Sequence, residues 1–296
     1  MEKTLKTIVF FGTEDFSLVA LKGLHEAGFN ISAVITKPDS KRGRKQLMTP
    51  PAVKIYAEQH GIKVLQPSKL KDSINDIEQL GENIGVLVSY GKIVPDEIID
   101  LFNPGIVNLH PSLLPKYRGP SPIESAILSG DETTGISIMK LASAMDAGPV
   151  YRQVEYNLQG NETKPELYDR LAQIGTEELI KILPSIDNGT LLPTEQDSNE
   201  AVYCQLLNKD SGKIDPVELS ADEAERMVRA YIGFPKTRVL IDGVEIIITK
   251  SHIADNDESP LVIKCKNNSY LSIDELIAPS GKLMNSDSFI NGLQNS

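Results

Sequence analysis

The sequence predicts an α/β protein: an open, mostly parallel Rossmann-like sheet followed by a small C-terminal β-barrel of OB-like type. Three observations predict it. Short buried apolar runs alternate with helix-period segments through the first 110 residues, the signature of βαβ units. Composition turns polar and irregular after Asn188. Beyond that break come several short alternating strands with an Asp242-Gly243 hairpin signal.

The elements follow in order. Lys6-Thr7-Ile8-Val9-Phe10-Phe11 reads as a buried parallel strand, and Gly12-Thr13 as the turn after it. Phe16 to Ala27 carries Leu18, Leu21 and Leu24 at helical spacing, with Gly28 as its stop. Ile31 to Thr36 is the second strand. The first turn has Gly12 alone, not G-x-G-x-x-G, which disfavours a dinucleotide cofactor. Helices are predicted over 51–60, 70–80 and 95–101, and strands over 63–65, 84–89 and 105–109. Tyr90-Gly91 and Asn108 to His110 therefore fall at strand C-terminal ends, where open α/β sheets bind ligands. A helix over 122–128, strands over 134–141 and 150–154, and a helix opened by the Thr163/Glu166 capping box complete this part. The expected division is a catalytic domain over 1–188, a linker over 189–206 and a C-terminal barrel domain over 207–296.

The net charge of −11 argues against general affinity for polyanions, so any nucleic-acid contact needs a local basic patch. Lys37 to Gln46 is one, with five cations (Lys37, Lys41, Arg42, Arg44, Lys45) and a single acid, Asp39. Such a run is either a solvated loop or a phosphate-contacting one. No stretch of eighteen apolar residues occurs, and Met1-Glu2-Lys3-Thr4 leads straight into a strand pattern. The expectation is a cytoplasmic monomer without membrane contact; two distant cysteines, Cys204 and Cys265, agree with that compartment.

The chemistry concentrates at Val107 to Gly119. A strand ending in Asn108-Leu109-His110 sends Asn108 and His110 to one face, because strand side chains alternate. Pro111 then ends the ladder. Asp146, within Ala144-Met145-Asp146-Ala147-Gly148, supplies an acid from another loop. Amide, imidazole and carboxylate together suit oxyanion stabilisation and proton transfer. There is no G-x-S-x-G elbow, and the four histidines and two cysteines are not at metal-ligand spacing. Acid–base chemistry on an acyl-type substrate, without a metal, remains.

Asn108-Leu109-His110-Pro111-Ser112-Leu113-Leu114-Pro115-Lys116-Tyr117-Arg118-Gly119 with the distant Asp146-Ala147-Gly148 resembles the folate-dependent formyltransferases. The likeness includes Phe11-Gly12-Thr13 with Phe16, Gly43-Arg44, Val88-Ser89-Tyr90-Gly91, and C-terminal stretches such as Gly212-Lys213-Ile214-Asp215. It implies 10-formyltetrahydrofolate as donor and the α-amine of methionyl-initiator tRNA as acceptor, for translation initiation; an amino-sugar nucleotide is the alternative acceptor. By the same resemblance Asn108, His110 and Asp146 are catalytic. Ser112, Leu113, Leu114 and Pro115 contact the folate, and backbone around Tyr90, Gly91, Lys92 and Ile93 holds the pterin. Phe16 lies near the methionyl side chain. Lys41, Arg42, Arg44 and Lys45 reach the tRNA, which the barrel also touches.

Overall fold

A computed structural model describes residues 6–42 and 46–294. Along the chain come β1 (Thr7–Gly12), α1 (Asp15–Glu26), β2 (Ile31–Ile35), β3 (Ser40–Arg42), β4 (Leu47–Thr49), α2 (Ala52–Gln59) and β5 (Lys63–Leu65). Next are α3 (Ile74–Glu78), β6 (Asn83–Val88), α4 (Asp96–Ile99), β7 (Ile106–His110), α5 (Pro122–Ser129), β8 (Thr133–Lys140), β9 (Val150–Asn157) and α6 (Lys164–Asp187). The remainder holds α7 (Ala221–Ala230), β10 (Thr237–Ile241), β11 (Val244–Ala254), β12 (Val262–Lys264), β13 (Tyr270–Ile277), β14 (Leu283–Asn285) and α8 (Ser286–Gln294). These elements form two compact units. One comprises Met1–Pro120, Thr134–Tyr156 and Tyr168–Cys204; the other Ser121–Thr133, Asn157–Leu167 and Gln205–Ser296.

The first unit is built on a seven-stranded sheet in the order β5-β2-β1-β6-β7-β8-β9. The pairs β2/β5, β1/β2, β1/β6 and β6/β7 are parallel, and β7/β8 is antiparallel. The chain steps outward from β1 to β2 and β5, then crosses back to β6. The order therefore reverses between β1 and β6, and a crevice at their C-terminal ends is the expected ligand site of such a sheet. Gly12 pairs with Val88 and Val88 with Leu109, which sets the ends of β1, β6 and β7 at one level.

Both faces of the sheet are covered, which is why β1 reads as a continuous apolar run. Phe10 and Phe11 are both fully buried, each removal from water contributing roughly 1.5–3 kcal/mol. On one face Val9, Phe11 and Ile106 pack with Ile77, Tyr90, Ile98 and Phe102. On the other, α6 lies directly on β7: a Cβ at Gly175 would stand 2.7 Å from Leu109. Because α6 claims the Leu109 face, Asn108 and His110 are turned to the opposite one.

The predicted helix over 70–80 is a 3₁₀ turn at Leu70–Ser73 running into the short α3, and that over 95–101 is the single turn α4. Within the basic stretch, Ser40–Arg42 forms β3, which pairs antiparallel with Leu47–Thr49 of β4. Arg44 and Lys45 lie outside the described residues.

The second unit contains a five-stranded antiparallel sheet, β10-β11-β13-β12 with β14 added on β13. The Asp242-Gly243 turn joins β10 to β11, with φ of +49° and +80° at its two central residues. Helix α7 opens with the Ser220/Glu223 capping box. Among the described residues no helix is long and apolar enough to cross a membrane.

Candidate active site

Strand β7 is buried along its whole length and ends in the two polar side chains of interest, with Asn108 5% and His110 6% exposed. His110 Nε2 lies 2.9 Å from the carbonyl oxygen of Tyr117. A carbonyl only accepts, so Nε2 carries the proton and Nδ1 is left with the lone pair. Nδ1 stands 3.7 Å from Asp146 Oδ2. That oxygen also accepts the backbone N–H of Gly119 at 2.8 Å. Asp146 itself adopts φ of +48°, a left-handed conformation unusual for a residue with a side chain. The sheet and two separate loops thus bring the imidazole and the carboxylate predicted from sequence together, with the Asn108 amide on the imidazole's face of β7.

The segment after His110 is held by polar groups from β8 and β9 that sequence reading passed over. Ser137 Oγ donates to the Ser112 carbonyl at 2.7 Å and accepts from Leu114 N at 3.0 Å. Gln153 Nε2 donates to the Leu114 carbonyl at 2.8 Å and to Ser137 Oγ at 2.9 Å. Within the segment Ser112 Oγ donates to the Lys116 carbonyl at 2.6 Å, so its hydroxyl shapes the turn. Leu114 is buried, whereas Leu113 and Pro115 are half-buried and available to a ligand. The sequence signal for Ser137 was a polar residue on an inward position of an otherwise apolar strand, Ile136-Ser137-Ile138.

At the switch point between β1 and β6, Thr13 Oγ1 donates to the Tyr90 carbonyl at 3.0 Å. The Tyr90 ring points into the core, edge-on to Phe11, and burial pushes its phenol up to about 12. Gly91 follows with φ of +69°, and a Cβ there would sit 2.3 Å from Lys37 Nζ. Lys92 reaches the Ser68 carbonyl, and Ile93 is 82% exposed. Residues 90–93 therefore offer backbone and an exposed apolar side chain, a surface suited to a flat heteroaromatic ring. Phe16 is buried, its ring edge-on to Tyr168 at 5.1 Å and its N–H on the Tyr168 hydroxyl at 3.2 Å. Lys41 is exposed on β3, and on β4 Leu47 and Met48 are exposed beside it.

Residues 5–183 match the family described as Formyl transferase, and residues 206–294 its C-terminal domain. The chain belongs to the formyl transferase family. Its relatives include the methionyl-tRNA formyltransferase of Lachnospira eligens, 35% identical over 306 residues, covering 97% of this chain and 96% of that one. The methionyl-tRNA formyltransferase of Lactobacillus acidophilus is 34% identical with the same two coverages, 97% and 96%. Among solved structures, HypX from Aquifex aeolicus in complex with tetrahydrofolic acid superposes with TM-score 0.71 at 14% identity, over 99% of this chain and 48% of that chain. An N-formyltransferase from Helicobacter canadensis, in complex with folinic acid and dTDP-3-aminofucose, gives 0.69 at 19%, over 91% and 99%. These two likenesses concern the fold.

Proposed function

We propose that the chain transfers the formyl group of 10-formyltetrahydrofolate to the α-amine of methionyl-initiator tRNA, with Asn108, His110 and Asp146 as the catalytic set. The observation that carries the mechanism is His110: Nε2–H is committed to the Tyr117 carbonyl, so Nδ1 faces Asp146 as the basic atom. Full-length likeness to methionyl-tRNA formyltransferases supports the acceptor.

The folate supplies an activated formyl carbon. The amine nitrogen forms a bond to that carbon, the bond from carbon to the folate nitrogen breaks, and one proton passes from the amine to the leaving nitrogen. Asn108 donates its amide N–H to the formyl oxygen as negative charge develops there. His110 Nδ1 takes the amine proton, and Asp146 favours the imidazolium so formed through its opposite charge. The same imidazolium returns the proton to the leaving nitrogen. Of residues 90–93 and 112–115, the exposed Gly91 and Ile93 and the half-buried Leu113 and Pro115 suit the folate, while the buried Tyr90, Ser112 and Leu114 hold that surface in place. Lys41, Arg42, Arg44 and Lys45 supply cations for tRNA phosphates, and Phe16, buried against Tyr168, backs the acceptor end from beneath. Residues 1–188 are the catalytic domain, 189–206 the linker, and 207–296 a second tRNA contact; the enzyme acts as a cytoplasmic monomer.

The test supplies purified chain and 10-formyltetrahydrofolate with either charged initiator tRNA or an amino-sugar nucleotide. Formylmethionyl-tRNA is the expected product. Formylation of the sugar in its place overturns the acceptor, and turnover of neither overturns the reading.

A further inference from the structure

Arg118 is 2% exposed, among the largest fully buried side chains of the protein. Its guanidinium donates twice to one oxygen, Gln196 Oε1, from Nε at 3.0 Å and Nη2 at 2.8 Å. Nη1 donates to the Tyr203 hydroxyl at 3.2 Å. The other end of the Gln196 amide donates to two carbonyls, Asp146 O at 2.8 Å and Gly148 O at 2.6 Å. Arginine only donates and a carbonyl only accepts, so this arrangement fixes which end of the amide is which. All four hydrogen-bonding positions of the carboxamide are used. The segment carrying Gln196 is itself tied down: Thr194 exchanges two backbone bonds with Val150, and residues 202–204 pair with Pro115 and Arg118.

Asp146 is held in a left-handed conformation, and that conformation decides where its carboxylate points. The Gln196 amide grips the backbone on the C-terminal side of that residue, while Gly119 N–H grips the carboxylate. Arg118 and Gly119 are adjacent, so one short segment anchors the loop at both places.

We propose that Gln196, oriented by Arg118, is a positioning residue that sets the Asp146 carboxylate against His110; this rests on the reading of Asp146 as catalytic. A glutamine is required because it converts the donors of Arg118 into donors for the loop carbonyls. An isosteric glutamate keeps the arginine side and turns an acceptor toward the carbonyls.

Formyl transfer to charged initiator tRNA is measured on the full chain for Gln196→Met, Gln196→Glu, Asp146→Asn and the Gln196→Met/Asp146→Asn double variant. Gln196→Met lowers kcat by about tenfold or more, as expected for a misplaced catalytic group, with both KM values little changed. In the double variant the second change adds little, because both act through one carboxylate. Gln196→Glu gives the same kcat loss and keeps the test open if the methionine variant does not fold. Normal kcat in a folded Gln196 variant, or a loss that multiplies fully onto Asp146→Asn, overturns the inference while the catalytic reading stands. Normal kcat in Asp146→Asn overturns both.

Discussion

The backbone N–H of Gly119 donates to Asp146 Oδ2 at 2.8 Å, the same oxygen that faces His110 Nδ1 at 3.7 Å. A charge-assisted bond from a fixed backbone donor leaves the carboxylate little freedom to swing. Gly119 holds φ of +119°, and a Cβ there would meet the Cys204 carbonyl oxygen at 2.7 Å and its Sγ at 3.1 Å. Gly119→Ala must therefore move this peptide and with it the carboxylate. Turnover is expected to fall by about tenfold or more. Steady-state kcat alongside circular dichroism checks it; unchanged kcat in a folded variant would remove the N–H from the mechanism.

Asn108 and His110 have separable jobs. Asn108→Ala removes a donor aimed at developing negative charge, which costs roughly 100- to 1,000-fold in kcat in comparable oxyanion sites. Asn108 ends on a buried strand, so circular dichroism accompanies the kinetics. His110→Ala removes the proton acceptor and is expected to cost roughly 100-fold or more. Single-turnover rates isolate the chemical step for both. A folded His110→Ala enzyme at normal rate would exclude imidazole base catalysis.

Much of this site was legible because its determinants are local. Period-two alternation placed Asn108 and His110 on one face, and Gly28, with φ of +84°, ends α1 as its position in the sequence predicts. What stayed hidden is long-range. Ser137 and Gln153 act on Ser112 and Leu114 across strand pairings that no local pattern encodes. Residues 189–206 read as polar connection, yet Gln196 reaches Asp146 fifty positions away. Tyr90 followed a strand as expected, but sequence does not say to which side its ring turns; the structure sends it into the core. Strand β14 is hidden because it is three residues long and follows the turn residues Pro279-Ser280-Gly281, and α8 because it starts directly after that strand with no turn between them.

Ser137 is fully buried and joins three polar partners, Ser112 O, Leu114 N and Gln153 Nε2. Ser137→Ala strands a backbone carbonyl and a backbone N–H away from water. Each such loss costs roughly 1–3 kcal/mol. Urea unfolding is expected to show a lower midpoint at unchanged slope. An unshifted midpoint would mean that the network contributes nothing to the folded state.

The β3–β4 hairpin carries the exposed Lys41 on a chain whose net charge is −11, so tRNA affinity should depend on few phosphate contacts. Replacing Lys41 or Arg42 by alanine is expected to reduce the slope of log K against log salt by about 1 each. Filter binding of charged initiator tRNA over a salt series measures it. Slopes equal to wild type would return the hairpin to the role of a solvated loop.

Tyr90 gives the alkaline limb of stability a specific owner. Its side chain is 1% exposed, its hydroxyl has no hydrogen-bond partner among the described residues, and burial raises its phenol from 10.0 to about 12. The unfolded chain thus ionises Tyr90 first. Its stabilising contribution is whole below about pH 10 and is lost as pH rises toward 12. Tyr90→Phe cannot ionise in either state, so on going from neutral pH to pH 11 it should lose about 1.4 kcal/mol less than wild type. At neutral pH the same substitution removes an unpaired buried hydroxyl and is expected to be neutral or stabilising by about 1 kcal/mol. Urea midpoints of the two proteins at pH 7 and pH 11 test both signs. Parallel loss in wild type and variant across that range would place the alkaline sensitivity at other tyrosines, of which Tyr56, Tyr151 and Tyr231 are also raised by burial.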